Sequence, residues 1–144
     1  MTPIIRRARV SDAADLARCI EAAYAAARDS GVSLPPVAQG VEEDIRQHLV
    51  WVAVDGPICG GIVLSVTGEA AHMINIAVEP RCAGCGVGRR LIETALAEAR
   101  QRNAVRIDLA THVDMPENVS LYRHLGWRET GRTDRKVTMS RRLD

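Results

Sequence analysis

No apolar stretch in this chain approaches the roughly 18 residues that a membrane-spanning helix requires, so a bilayer is not an expected partner. An excess of one charge is missing too. The 19 basic and 18 acidic residues leave a formal +1, without the strong basic surplus usual in a nucleic-acid binder. The opening Met1-Thr2-Pro3-Ile4-Ile5-Arg6-Arg7 holds no apolar segment followed by small residues. No secretory leader is therefore expected, and the cytoplasm is the expected address. Neither internal repeats nor low-complexity tracts occur. At 144 residues the chain reads as one domain over 1–144, long enough to bury a core and too short for two.

Cysteine is sparse: Cys19, Cys59, Cys82 and Cys85. In a reducing compartment these are expected as thiols. Cys82-Ala83-Gly84-Cys85 satisfies C-x-x-C, the spacing of half a zinc site or of a redox pair. No second C-x-x-C and no H-x-x-x-H completes a zinc quartet, and no thioredoxin-like pattern surrounds it. Metal is not expected.

What is present is the balance of an ordinary globular protein, 47% hydrophobic and 26% charged. Ile4 to Val10 reads as a strand, with Ser11 capping a helix over Asp12–Arg28 whose Leu16, Ile20, Ala23 and Ala27 recur at helical spacing. Gly31 to Gly40, with Pro35-Pro36, reads as a loop before a short helix at Val41–His48. Three strands follow at Val50–Val54, Ile58–Val66 and His72–Val78, separated by Asp55-Gly56-Pro57 and Thr67-Gly68-Glu69. A helix at Val87–Arg102, a strand at Arg106–Thr111 and a short helix at Glu117–His124 ended by Gly126 come next. Trp127–Thr130 and Lys136–Ser140 close the chain as strands. The order predicts an α+β fold, a mixed, mostly antiparallel sheet of six to seven strands flanked by about four helices. Arg132, Arg135, Lys136, Arg141 and Arg142 crowd the end of the chain, which reads as a solvated surface.

The informative segment runs from Ile74 to Leu91. A strand ends at Pro80, the chain turns through Gly84, Gly86 and Gly88, and a helix begins. Glycines allow unusual dihedrals and close approach to the backbone. The first N–H groups of the helix lack intrahelical partners and, with the helix dipole, suit a pyrophosphate. Arg81, Arg89 and Arg90 stand near enough in sequence to add charge. A dinucleotide fold would want G-x-G-x-x-G in a βαβ unit, and a P-loop would want Gly-Lys-Ser/Thr. Neither fits, since the spacing is G-x-G-x-G, hairpins precede it and no Lys lies in the loop.

Val78-x-Pro80 followed by Ala83-Gly84-Cys85-Gly86-Val87-Gly88 resembles the acetyl-CoA motif of the GNAT superfamily of N-acetyltransferases: V-x-P, then Q/R-x-x-G-x-G/A. Ala83 stands where that family usually has Gln or Arg. A second stretch, Met115-Pro116-Glu117-Asn118-Val119-Ser120-Leu121-Tyr122-Arg123-His124-Leu125-Gly126-Trp127-Arg128-Glu129-Thr130, is similar to the family's M-x-E-N-x-x-L-Y-x-x-L-G-F/Y-x-E-T. The ending Val137-Thr138-Met139-Ser140 resembles the last strand of such proteins, so the likeness spans nearly the whole chain.

The resemblance implies acetyl-CoA as co-substrate and an amine, on a small molecule or a protein, as acceptor. It places the pantetheine arm on the main chain of Ile76, Ala77 and Val78. The pyrophosphate falls to Gly84, Cys85, Gly86, Val87, Gly88 and Arg89, and Asn118 contacts the cofactor from another side. Direct attack of a neutral amine on the thioester is implied, with N–H groups near Val78 stabilising the oxyanion. Tyr122 matches the family tyrosine that protonates the departing thiolate. No general base stands out: Ala110, twelve residues before Tyr122, occupies the place where some relatives carry it, leaving His72, Glu79, His112 and Asp114 as candidates. Acceptor specificity is implied for Tyr24–Gly40 and the loop around Asp114. Many relatives are dimers, which makes a second copy a candidate partner. A catalytically silent acyl-CoA-binding or sensor module, motivated by Ala83 and the missing base, is the alternative.

Overall fold

The computed structural model describes residues 2–29 and 40–143, the side chains of 26–29 excepted. In chain order it forms β1 (Ile4–Arg7), a 3-10 turn (Val10–Asp12), α1 (Ala13–Asp29), α2 (Val41–Gln47), β2 (Leu49–Val54), β3 (Ile58–Thr67) and β4 (Ala70–Val78). A second 3-10 turn (Pro80–Cys82) leads to α3 (Val87–Gln101), β5 (Arg106–His112), α4 (Pro116–His124), β6 (Arg128–Arg132) and β7 (Lys136–Arg142). The strands form one seven-stranded sheet in the order β1-β2-β3-β4-β5-β7-β6. β4 and β5 pair in parallel, joined through α3, whereas β1–β2, β2–β3, β5–β7 and β6–β7 are antiparallel. This is the α+β architecture expected. Every boundary but the end of the first strand lies within two residues of its expected place. The segment 30–39, where the loop with Pro35-Pro36 was expected, lies outside the described residues.

The chain packs as two compact units, Met1–Leu64 with Asn75–Ala95, and Ser65–Ile74 with Leu96–Asp144. In the first, Leu16, Cys19 and Ile20 of α1 join Val41, Val50, Val52, Ile58, Val63 and Ala77 in a buried cluster. Leu16 and Ile20 are thus core, as their spacing predicts, and Ala23 packs against the cluster half-buried. The side chain of Ala27 lies outside the described residues.

Two neighbouring glycines of β3 let helices close on both of its faces. A Cβ on Gly60 would stand 3.0 Å from Val87 Cγ1 and 3.3 Å from Leu91 Cδ1 of α3. One on Gly61 would stand 2.5 Å from Leu16 Cδ1 of α1. Successive strand residues point to opposite faces, so α3 seats against one glycine and α1 against the other.

In the second unit, buried Ile107 and Leu109 of β5, and Val137 and Met139 of β7, alternate with more exposed neighbours. Trp127 is buried, and its Nε1–H donates to the Ile107 carbonyl at 3.1 Å. The Arg141 guanidinium lies 5.5 Å over its ring, a cation–π contact. Gly126, with φ +104°, ends α4.

The N-terminal reading needs correction. β1 ends at Arg7 rather than Val10, and Asp12 rather than Ser11 does the capping. The Arg9 N–H donates to Asp12 Oδ2 at 2.7 Å, and Arg6 Nη1 and Nη2 donate to Oδ2 and Oδ1 at 2.8 and 3.0 Å. That bidentate pair bends the chain out of the sheet into the 3-10 turn. It leaves Asp12 as the buried charged residue among those described.

Chiefly through the Arg6 hydrogen bonds, and against the cost of burial, the Asp12 carboxyl is held below its ordinary range. A depressed folded-state pKa contributes stability above the unfolded value near 3.9, lost as pH falls through the folded value. Asp12→Asn should therefore cost roughly 1–2 kcal/mol at pH 7. In urea melts the gap from wild type should shrink below about pH 4. A gap that persists unchanged at pH 2.5 would rule the ion pair out as its source.

Candidate active site

β4 is paired with β5 only from Ala70↔Arg106 to Met73↔Leu109. Its last residues, Asn75 to Val78, belong to the first unit. Ala77 is buried and part of the core, while Ile76 and Val78 are half-buried on the opposite side of the strand. On the Ala77 side, the Tyr24 hydroxyl donates to Asn75 Oδ1 at 3.1 Å. Burial pushes the Tyr24 phenol above its usual range, so it stays a donor. Asn75 was not singled out from sequence. A lone amide between Ile74 and Ile76 was the available signal.

The strand end is tied down by Glu79, whose N–H donates to the Cys59 carbonyl of β3 at 2.8 Å. Three tight main-chain bonds then wind the chain round: Cys82 N–H to Glu79 (2.9 Å), Ala83 N–H to Pro80 (3.1 Å) and Cys85 N–H to Cys82 (3.2 Å). Gly84 and Gly86 follow with φ +82° and +79°, exposed, with no atom within 4 Å of where a Cβ would stand. These dihedrals, not crowding, demand glycine there. At Gly88 a Cβ would meet only Val78 Cγ2 at an ordinary 3.5 Å, so the protein's own packing does not demand glycine. Among the described residues, a Cβ at Gly84, Gly86 or Gly88 would therefore meet little or nothing.

The Arg90 N–H makes the first helical bond, to the Gly86 carbonyl at 3.1 Å, leaving the preceding amides without intrahelical acceptors. Short helices usually set carboxylates there, as α2 does with Glu42, Glu43 and Asp44. The first turn of α3 has none. An anion from outside suits this end.

The three arginines near the turn do not act together. Arg81 Nε donates to Glu79 Oε2 at 2.8 Å, and Arg90 Nη1 donates to the Pro3 carbonyl at 2.6 Å, pinning the N-terminal segment. Arg89 makes only a long, exposed pair with Glu93, at 3.6 Å, worth little. It is the one of the three whose charge is readily redirected.

Cys82 and Cys85 part company as well, for Cys82 is buried and Cys85 exposed. Burial first, then a hydrogen bond with Cys82, pushes the Cys59 thiol up to about 12. Burial and the nearby Glu79 push Cys19 up to about 11. Thiols held so high are poor nucleophiles and ligands. Among the described residues no three His, Cys, Asp or Glu side chains gather to hold a metal.

The other site residues lie on α4, in the second unit. Asn118 is half-buried, and its Nδ2 points to Thr111 Oγ1 at 3.4 Å and Met115 Sδ at 3.7 Å. Tyr122 is 6% exposed, its ring set edge-on to Trp127 at 5.8 Å and 64°, a favoured aromatic geometry.

The candidate bases are mostly engaged. His112 Nδ1 accepts the Asp114 N–H at 3.0 Å, which commits that lone pair and puts the neutral ring's proton on Nε2. Glu79 is paired with Arg81, and Asp114 is exposed. His72 is exposed on β4, in register with Asp108. Ala110 brings no titratable group.

A glycine turn opening a helix without carboxylates, after a strand ending V-x-P, matches what comparison with known proteins finds. The profile of the acetyltransferase (GNAT) family matches residues 17–127. The chain belongs to that family. It is 28% identical to the uncharacterized N-acetyltransferase YjgM of Escherichia coli (strain K12), covering 99% of this chain and 96% of that protein. The peptidyl-lysine N-acetyltransferase YjaB of the same organism is 36% identical over 65% of this chain and 62% of its own length.

Among solved structures, the PaiA N-acetyltransferase from Thermoplasma acidophilum, in complex with coenzyme A, superposes with a TM-score of 0.90 at 14% identity, covering 99% of both chains. The E. coli ribosomal-protein-S18-alanine N-acetyltransferase gives 0.83 at 19% identity, covering 99% of this chain and 94% of that one. At such identities the likeness speaks for the fold alone. Both the glycine turn and α4 of this GNAT chain fall inside the matched residues.

The thiol environments are checked by titration with a disulfide reagent at pH 8. The folded protein should react rapidly at one cysteine, lost in Cys85→Ser, and at all four after denaturation. Rapid reaction of two or more thiols in the fold would overturn the burial of Cys19, Cys59 and Cys82.

Proposed function

We propose that this GNAT protein transfers the acetyl group of acetyl-CoA to a primary amine of a small molecule or a protein, with residues 1–144 acting as one catalytic domain. The observation that carries the reading is the α3 terminus: left-handed, exposed Gly84 and Gly86 with no described atom within 4 Å of a Cβ, and no carboxylate in the first turn. Those features fit a pyrophosphate. The main chain of Gly84 to Gly88, with Arg89, would hold it, and the main chain of Ile76, Ala77 and Val78 would hold the pantetheine arm. The coenzyme A in the Thermoplasma PaiA structure supports a cofactor of this type.

Bound acetyl-CoA supplies an acyl carbon activated by a thiolate leaving group. An uncharged amine attacks that carbon, the C–S bond breaks, and the amine's proton passes to solvent or to a base. In this reading N–H groups near Val78 stabilise the charge on the carbonyl oxygen. Tyr122 Oη–H gives its proton to the sulfur. A phenol ionises near pH 10 and so keeps that proton at neutral pH. Asn118 contacts the cofactor from α4. No metal takes part, and the free cysteines suit the cytoplasm as the setting.

One observation favours a second reading, a silent acyl-CoA-binding module. Ala83 is exposed with its N–H spent on the Pro80 carbonyl, so the loop lacks the polar side chain usual in the family motif. Turnover decides between the two. With acetyl-CoA and a panel of amines that includes lysine peptides, release of coenzyme A thiol should depend on the amine. Tyr122→Phe keeps the ring that packs on Trp127 and should lower kcat about 100-fold, with acetyl-CoA affinity within about twofold. Gly86→Val, forced to φ +79°, should lose cofactor binding. Amine-independent thiol release, or parallel loss of kcat and affinity in Tyr122→Phe, would defeat the catalytic assignment.

A further inference from the structure

The strand register gathers Arg106, Arg128, Lys136 and Arg142 on one face of the second unit, while Arg132 and Arg141 stand in register with the buried Val137 and Ile107 on the other. Across β5 and β7, Arg106 stands opposite Arg142, Asp108 opposite Ser140, Ala110 opposite Thr138 and His112 opposite Lys136. Arg128 of β6 stands opposite Ser140. Residues in register share a face, and Arg106, Ala110, Arg128, Lys136, Thr138 and Arg142 are all exposed on theirs.

The charge there is not balanced. Asp108 is the carboxylate on these rungs, and it is already spent: Oδ1 accepts the Ser140 hydroxyl at 2.6 Å and Oδ2 accepts Arg106 Nε at 3.1 Å. Among the described residues no carboxylate lies within ion-pair distance of Arg128, Lys136 or Arg142. Arg106 and Arg142 stand directly opposite each other, and the Asp108 carboxylate offsets only the first of them.

Between the cations the floor is low. Ala110 and Thr138 face each other, and the Thr138 hydroxyl is bonded to that of Thr130 at 3.2 Å. From Lys136 to Arg142 the face runs about 20 Å, the reach of six or seven extended residues.

We propose that this face docks an acidic polypeptide segment in extended form, its carboxylates pairing with Arg128, Lys136 and Arg142. Exposed backbone rungs with Ala110 and Thr138 between the cations leave room for an extended chain laid along the strands. These rungs carry no Phe, Tyr or Trp, the side chains that most often stack the bases of a single-stranded nucleic acid.

The test is fluorescence anisotropy of a labelled ten-residue polyglutamate, with coenzyme A in excess to block the α3 terminus. The face variant Arg128→Ser/Lys136→Ser/Arg142→Ser is compared with a control, Arg9→Ser/Arg18→Ser/Arg46→Ser, that removes the same charge from the first unit. The face variant should bind at least tenfold more weakly, and the control within twofold of wild type. Both should keep the wild-type circular dichroism, and the reading needs no acetyl transfer. Equal loss in the two variants would overturn it in favour of net charge alone. So would tighter binding of a ten-residue oligothymidylate than of the peptide. Self-association of the face variant with peptide affinity unchanged would make these cations a guard of the sheet edge instead.

Discussion

A chain leaving β4 must reverse into α3 without putting a side chain or a carboxylate in front of the helix's open amides. Much else in the first unit follows from that constraint. Gly84 and Gly86 take left-handed dihedrals because the reversal is completed in so few residues. Gly60 of β3 lacks a Cβ so that Val87 and Leu91 can seat the first turns of α3 against the strand. The Glu79 N–H bond to Cys59 and the Arg90 bond to Pro3 fix the strand end and the helix start. A donor array is useful to an anion only if its direction is set beforehand, since the cost of ordering it has then been met by folding.

Legibility from sequence followed the range of the interactions. The glycine turn, the V-x-P strand end and the segment from Met115 to Thr130 are local patterns, and the GNAT family was readable from them. Helix and strand limits were readable for the same reason, because caps, turn glycines and periodicity lie within a few residues. The N-terminal strand was read too long because what ends it is the pairing of Arg6 with Asp12, a bidentate geometry that no pattern announces. Nor was the bond between Tyr24 and Asn75 visible, 51 residues apart. Arg90 was grouped with the phosphate cluster on proximity alone. Its partner, the Pro3 carbonyl, lies 87 residues away.

Tyr122 sits between these cases. The motif around it named the residue, yet its packing on Trp127, itself anchored to the Ile107 carbonyl, is tertiary. That packing holds the ring whether or not the hydroxyl does chemistry. A phenol fixed by its ring keeps its oxygen in one place at little entropic cost. The packing of the ring is thus compatible with the proton-donor role proposed for Tyr122.

Net charge is a poor guide to partners in a molecule that sorts its charges this way. Behind the formal +1 stand cations of different kinds. Arginines such as Arg18 and Arg102 pair with helix neighbours Asp15 and Glu98 in exposed bridges, which screen one another and contribute little. Others are structural: Arg6 on Asp12, Arg90 on a carbonyl, Arg141 over the Trp127 ring. Arg128, Lys136 and Arg142 have neither role and stand on one face. Opposite charges spent elsewhere cancel them in the total but not in the local field, because interactions beyond about 8–10 Å are screened at ordinary ionic strength. A nearly neutral chain can therefore present a cationic surface, and its register, not its composition, reveals it.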